Sequence, residues 1–308
     1  MRPAWSILLF TTLAGTAQGL LLALAVVSWQ MPLDTGFVLT AIALAEVLLA
    51  CGLLASFFHL GQKTRAWRAA AMWRTSWMSR EVIVLPLLMG LVALWWLALV
   101  LDAAPAVLQT LVFLVVVGTL ALWLCTAMIY ACLRFLQEWA HPLTVINFTL
   151  LGMSSGSVLL CALAIAMAQT ALLAWLQPWV LTCTLLAWFM RRQALRRNAR
   201  LSPLSTLQSA TGIHQPQLVQ KSMGMSAGSF NTREFFHGAA ARTMRHMPWV
   251  FQLLTFALPL LLLALVGVQT VWAWQAAVLL QFVGLLAERW VFFAQARHPQ
   301  NLYYQTVS

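Results

Sequence analysis

Apolar residues in this chain do not recur at the three-to-four-residue spacing of a helix half-immersed in water. They run nearly unbroken for about 20 residues at a time, the length that crosses a hydrocarbon core of roughly 30 Å as a helix. Eight such runs stand out, at residues 7–29, 37–60, 82–101, 106–133, 143–168, 171–190, 249–269 and 271–294. Short polar breaks join them in pairs: 30–36, with Pro32 and Asp34, then 102–105, then 169–170, then a turn near Gln269. The pattern predicts an all-α fold, a polytopic integral membrane bundle of eight transmembrane helices forming a single membrane domain over residues 1–308. One polar stretch is long: residues 191–247, rich in Ser, Thr, Gln and Gly with Pro203 and Pro216. It is expected to be a cytoplasmic-side loop of low order in its middle.

Composition agrees with lipid as the solvent. The chain is 62% hydrophobic and 8% charged, against about 45–50% and 25% in soluble domains. The net charge of +11 would suggest nucleic acid in a soluble protein, but its placement argues otherwise. All 18 Lys and Arg residues fall at the chain ends or in the connections after spans two, four, six and eight, and none falls on the opposite side. Because such loops are retained in the cytoplasm, both termini are expected there. The basic run 191–200 could also touch anionic lipid head groups. The first apolar run, behind Met1 and Arg2, is too long for a signal peptide and is read as span one.

Much chemistry is missing. Cys51, Cys125, Cys132, Cys161 and Cys183 lie inside spans without the short spacing of a zinc or iron–sulfur site. His59, His141, His214, His237, His246 and His298 lie at span ends or in loops, so the mid-membrane His pair of a b-type haem is not expected. No metal site, Walker loop, dinucleotide fingerprint or nucleophile elbow is present in the sequence.

What is present is proton-handling chemistry. Glu46 sits near the middle of span two, where an unpaired carboxylate is costly and is either a proton relay or a carboxyl bonded into the bundle. Glu288, beside Arg289 near the inner end of span eight, offers the same two readings. Gln18, Asn147, Gln252, Gln275 and Gln281 are expected to bond helix to helix. The denser group is at the inner ends of spans two and three. His59 can exchange a proton near neutral pH, Glu81 can accept a second, and Arg80 can donate to a carbonyl or oxyanion. Interface anchoring by His, Trp and Arg is the competing reading.

These residues also carry a resemblance. His59–Leu60–Gly61 followed by Arg65–Ala66, then Ser79–Arg80–Glu81, resemble blocks of the membrane anchor subunit of the dimethyl sulfoxide reductase family of molybdoenzymes. Two further blocks agree in order and spacing: Asn231–Thr232–Arg233–Glu234–Phe235–Phe236–His237–Gly238, and Gly284–Leu285–Leu286–Ala287–Glu288–Arg289 running into Phe292–Phe293. Gln62–Lys63–Thr64 departs from the family's usual small residue and Pro. The resemblance covers the whole chain. It implies an anchor without haem or iron–sulfur cluster that binds and oxidises menaquinol, and that holds a four-cluster iron–sulfur subunit and a molybdopterin catalytic subunit to the membrane. By the same resemblance His59 and Glu81 are tied to quinol binding. The terminal acceptor and the face on which the partners dock stay open. A second reading from another class is a proton-coupled secondary transporter using Glu46 and Glu288, although the scattered Gly and Pro residues show no matching pattern in the two halves.

Overall fold

The computed structural model describes residues 1–58, 60–222 and 230–303. Among the described residues, eight helices are long and apolar enough to cross a membrane: α1 (Trp5–Gln30), α2 (Thr35–Phe57), α3 (Trp77–Val100), α4 (Pro105–Ala131), α5 (Pro142–Ala166), α6 (Thr170–Asn198), α7 (Ala241–Val266) and α8 (Val271–Ala294). Among the described residues there is no strand. At about 1.5 Å per residue even the shortest exceeds the hydrocarbon thickness.

Helix starts follow local chemistry. The Asp34 carboxylate accepts from Phe37 N at 2.8 Å to cap α2, and Ser76 Oγ accepts from Ser79 N at 3.3 Å to cap α3. Pro105 and Pro142 stand in the first turns of α4 and α5, where the missing N–H costs nothing. α6 does not stop at the last apolar residue. It continues through Arg191, Arg196 and Arg197 to Asn198, because arginine is a good helix former and a basic last turn suits the negative end of the helix dipole. α7 likewise begins at Ala241, ahead of its apolar run, so helical backbone covers both ends of the 191–247 stretch. Within α7, residues Leu253–Ala257 form a π-helical turn just before Pro259, where the proline ring cannot fit the regular ladder.

The two central helices are α1 and α5, with 61% and 67% of their apolar windows buried, against 28% for α3 at the edge. Glycines set their crossing. Gly15 and Gly19 on α1 face Gly152 and Gly156 on α5; a Cβ at Gly19 would run into the Gly152 backbone, and one at Gly156 into the backbone of Gly19 and Leu20. This is small-residue packing of membrane helices, which lets backbones approach where lipid gives no hydrophobic drive for association. α2 packs on α1, α3 on α4, α6 on α5, and α8 on both α5 and α7.

A polar layer ties the bundle at mid-depth. Thr16 and Ser155 hydroxyls are 3.0 Å apart, Gln18 Nε2 donates to Thr119 O at 3.2 Å, and Gln281 Nε2 donates to Ser154 Oγ at 3.0 Å. Gln18 and Gln281 therefore bond between helices, whereas Asn147 Nδ2 turns back to Leu143 O of its own helix at 2.7 Å. Both ends of the described chain meet at one end of the bundle, where Met1 N donates to Ala296 O at 2.9 Å. That is the end where the basic residues lie.

Candidate functional site

Glu81 is the fifth residue of α3, just past its first turn, and is 7% exposed. Thr126 Oγ1 of α4 donates to its Oε1, and Cys125 and Tyr130 of the same helix lie within electrostatic reach of it. The carboxylate thus points into the α3–α4 seam. It is a buried acid with a fixed hydroxyl donor at the basic end of the bundle. Arg80, one residue earlier, faces the other way. Its Nε donates to Trp73 O at 2.9 Å and its Nη2 to Arg74 O at 2.8 Å, while the guanidinium lies 4.2 Å from the centre of the Trp77 ring. Arg80 therefore fastens the turn that delivers α3, next to the 3₁₀ helix Lys63–Ala70. His59 lies outside the described residues.

Glu46 and Glu288 are not brought to Glu81. Glu46 stands half-buried in the middle of α2, and its Oε2 has no hydrogen-bond partner among the described residues. Glu288 of α8 is 1% exposed and meets Arg191 Nε at 2.6 Å and Arg289 Nη1 at 3.4 Å. The Arg191 contact is ionic, with Nε outside hydrogen-bond alignment. Arg289 also lies over the Phe148 ring at 3.9 Å. Around these groups an aromatic cluster closes the bundle: Tyr130 packs edge-on against Trp139, Phe292 and Phe293, and stacks on Phe148. Trp139 Nε1 donates to Phe292 O at 2.9 Å.

Sequence reasoning did not find Thr126, Tyr130 or Arg191. Thr126 and Tyr130 stand in an apolar run with no local signal, and Arg191 was one of many basic residues at a helix end. The pairing of Arg191 with Glu288 exists only because α6 and α8 both approach the start of α5. Close by, His141 Nδ1 accepts from Leu143 N at 3.2 Å. Burial and then the nearby Arg197 hold the His141 imidazole below its usual value, which favours its neutral form. A cleft of about 1130 Å³ also opens at the basic end, between residues 235–241, the end of α8 and the turn after α4.

The family model for the DMSO reductase anchor subunit (DmsC) matches residues 1–295. The chain belongs to this family. Among curated proteins, this anchor is 47% identical over 328 aligned positions to a sulfite dehydrogenase subunit of Allochromatium vinosum, with the whole of both chains covered. It is 25% identical over 164 positions to the anaerobic dimethyl sulfoxide reductase chain YnfH of Escherichia coli (strain K12), covering 52% of this chain and 57% of that one. An anchor is one part of a complex, holding catalytic and electron-transfer subunits at a membrane. The eight membrane-length helices and the family together make this a multi-pass membrane protein.

Proposed function

We propose that this anchor exchanges electrons between the membrane quinone pool and an iron–sulfur subunit of a molybdoenzyme complex, at a site built on Glu81. The observation that carries this reading is the carboxylate itself: buried, held by Thr126, and placed near the start of α3 in a chain of the anchor family. Quinone chemistry moves two electrons and two protons together, Q + 2e⁻ + 2H⁺ ⇌ QH₂, so the protein must offer groups that give and take protons at head-group depth. Glu81 is one such group and His59 the second. Arg80 acts by holding the turn in place. The redox centres belong to the quinone and the partner subunits, with molybdopterin in the catalytic chain and four clusters in the iron–sulfur chain.

The direction of flow follows the relative that matches over the full length. A sulfite dehydrogenase releases electrons, and the 47% identity supports an anchor that passes them from the iron–sulfur partner to a quinone, with Glu81 supplying a proton. The opposite direction, menaquinol oxidation with Glu81 accepting a proton, is favoured by the match to the dimethyl sulfoxide reductase chain. The family match favours both over a proton-coupled transporter. The complex lies in a bacterial inner membrane with both termini cytoplasmic, in keeping with the basic end of the bundle.

Membranes carrying the assembled complex test this reading. Sulfite-dependent reduction of a menaquinone analogue, and the reverse quinol-dependent reduction of dimethyl sulfoxide, are measured beside saturable binding of a fluorescent quinol analogue. Wild type should bind the analogue and run one of the two reactions. Glu81→Gln and His59→Ala should assemble but lose binding at least about tenfold, the effect of removing a hydrogen bond to a charged or polar partner. Wild-type binding and turnover in both variants would refute the site.

A further inference from the structure

The inner end of the bundle holds a charge that its own buried residues do not balance. Arg191, Arg289 and Glu288 are 2%, 3% and 1% exposed, so two guanidinium groups share one carboxylate. A net positive charge in so dry a place is strongly disfavoured unless a counter-charge joins it. Beside the trio is a pocket of about 10 Å³, space for a single oxygen-sized group. Arg191 Nη2 and Arg289 Nε belong to residues that line it, and both are buried without a hydrogen-bond partner among the described residues.

Other features favour the same sign of ligand. The pocket is lined by the first turn of α5, a helix of 25 residues with Pro142 in its first turn, so the positive end of that helix dipole adds to the arginines. Arg197 lines the rim, where its Nη1 donates to Gln137 O at 3.0 Å. The other titratable groups of the lining are Glu138, at the rim, and His141. With His141 neutral, three arginines face two carboxylates, and the balance remains one positive charge. The pocket stands where the ends of α5, α6 and α8 meet, level with the basic run 191–200 and therefore at the depth of lipid head groups.

We propose that this pocket is an oxyanion site that takes one oxygen of a phosphate group, with Arg191, Arg289 and Arg197 and the start of α5 as its receptor. The depth of the site favours the phosphate of an anionic phospholipid held against α5 and α6. Such a lipid neutralises the trio and fixes the geometry of three helices at the end where Glu81 also lies. The inference does not depend on the quinone reading.

The full chain, purified in detergent and delipidated, is titrated separately with phosphatidylglycerol, phosphatidylcholine and inorganic phosphate. Thermal unfolding and phosphorus retained per chain are read for each. Phosphatidylglycerol should raise the unfolding temperature and leave one phosphorus per chain. Arg197→Gln, at the rim, should weaken that binding at least about tenfold, and Arg200→Gln, outside the pocket, should not. An equal effect of inorganic phosphate would identify a free anion as the occupant and keep the site. The site is overturned if no ligand shifts unfolding or is retained, if Arg197→Gln binds like wild type, or if Arg200→Gln loses binding equally, which would mark a general basic surface. Binding of phosphatidylcholine as tight as phosphatidylglycerol would overturn the charge argument.

Discussion

Glu288 is the residue whose replacement best separates structure from proton chemistry. Glu288→Gln keeps shape and volume but removes the one negative charge set between Arg191, 2.6 Å away, and Arg289, 3.4 Å away. Both arginines are nearly inaccessible, at 2% and 3% exposure, so neither can turn to water for compensation. Breaking a buried pair from one side costs about 3–5 kcal/mol, because the partner stays behind as an uncompensated charge. At about 1.4 kcal/mol per tenfold, the folding constant should fall by roughly two to four powers of ten. Replacing the cation as well, in Glu288→Gln with Arg191→Met, should return much of the loss, leaving a coupling of about 2–3 kcal/mol between the positions. Unfolding in mixed micelles of rising SDS content, followed by tryptophan fluorescence, gives all four corners of the cycle. A Glu288→Gln chain within about 1 kcal/mol of wild type, with additive single effects, would refute the electrostatic account. If that stable chain also lost quinone turnover, Glu288 would be a proton relay instead.

Two further outcomes are open to direct measurement. Gly156→Leu should separate α1 from α5 and cost on the order of 1–3 kcal/mol in the same unfolding assay, whereas Gly90→Ala, where a Cβ meets nothing within 4 Å, should change little; equal effects would show that the glycine crossing does not set the packing. Alkaline phosphatase fused after Pro105 should be active and after Arg197 inactive, and the reverse pattern would invert the proposed orientation.

The eight spans were legible because the bilayer imposes a length and an apolarity that a linear window can count. The boundaries of α6 and α7 were less so. Arginine and the residues 241–248 leave the hydrophobic core without leaving the helix, and helix propensity carries no mark where lipid ends. Of the candidate residues, Glu81 was readable as a carboxylate at a span start. Its partner Thr126 was not, since a threonine in an apolar helix gives no sign of which neighbour it meets.

The order of apolar runs, the one-sided placement of basic residues and the motif blocks around Glu81 and Glu288 were determined by the sequence alone, since each depends only on local composition and spacing along one chain. Which carboxylate finds which partner was decided by tertiary structure. Glu288 is joined to Arg191 across 97 positions only because α6 and α8 both pack on α5 and bring these two side chains together near its start. Arg80, equally prominent in the sequence, is bonded to its own turn. Burial, and with it the strength of every charge in the bundle, is a property of three-dimensional packing that no one-dimensional pattern contains.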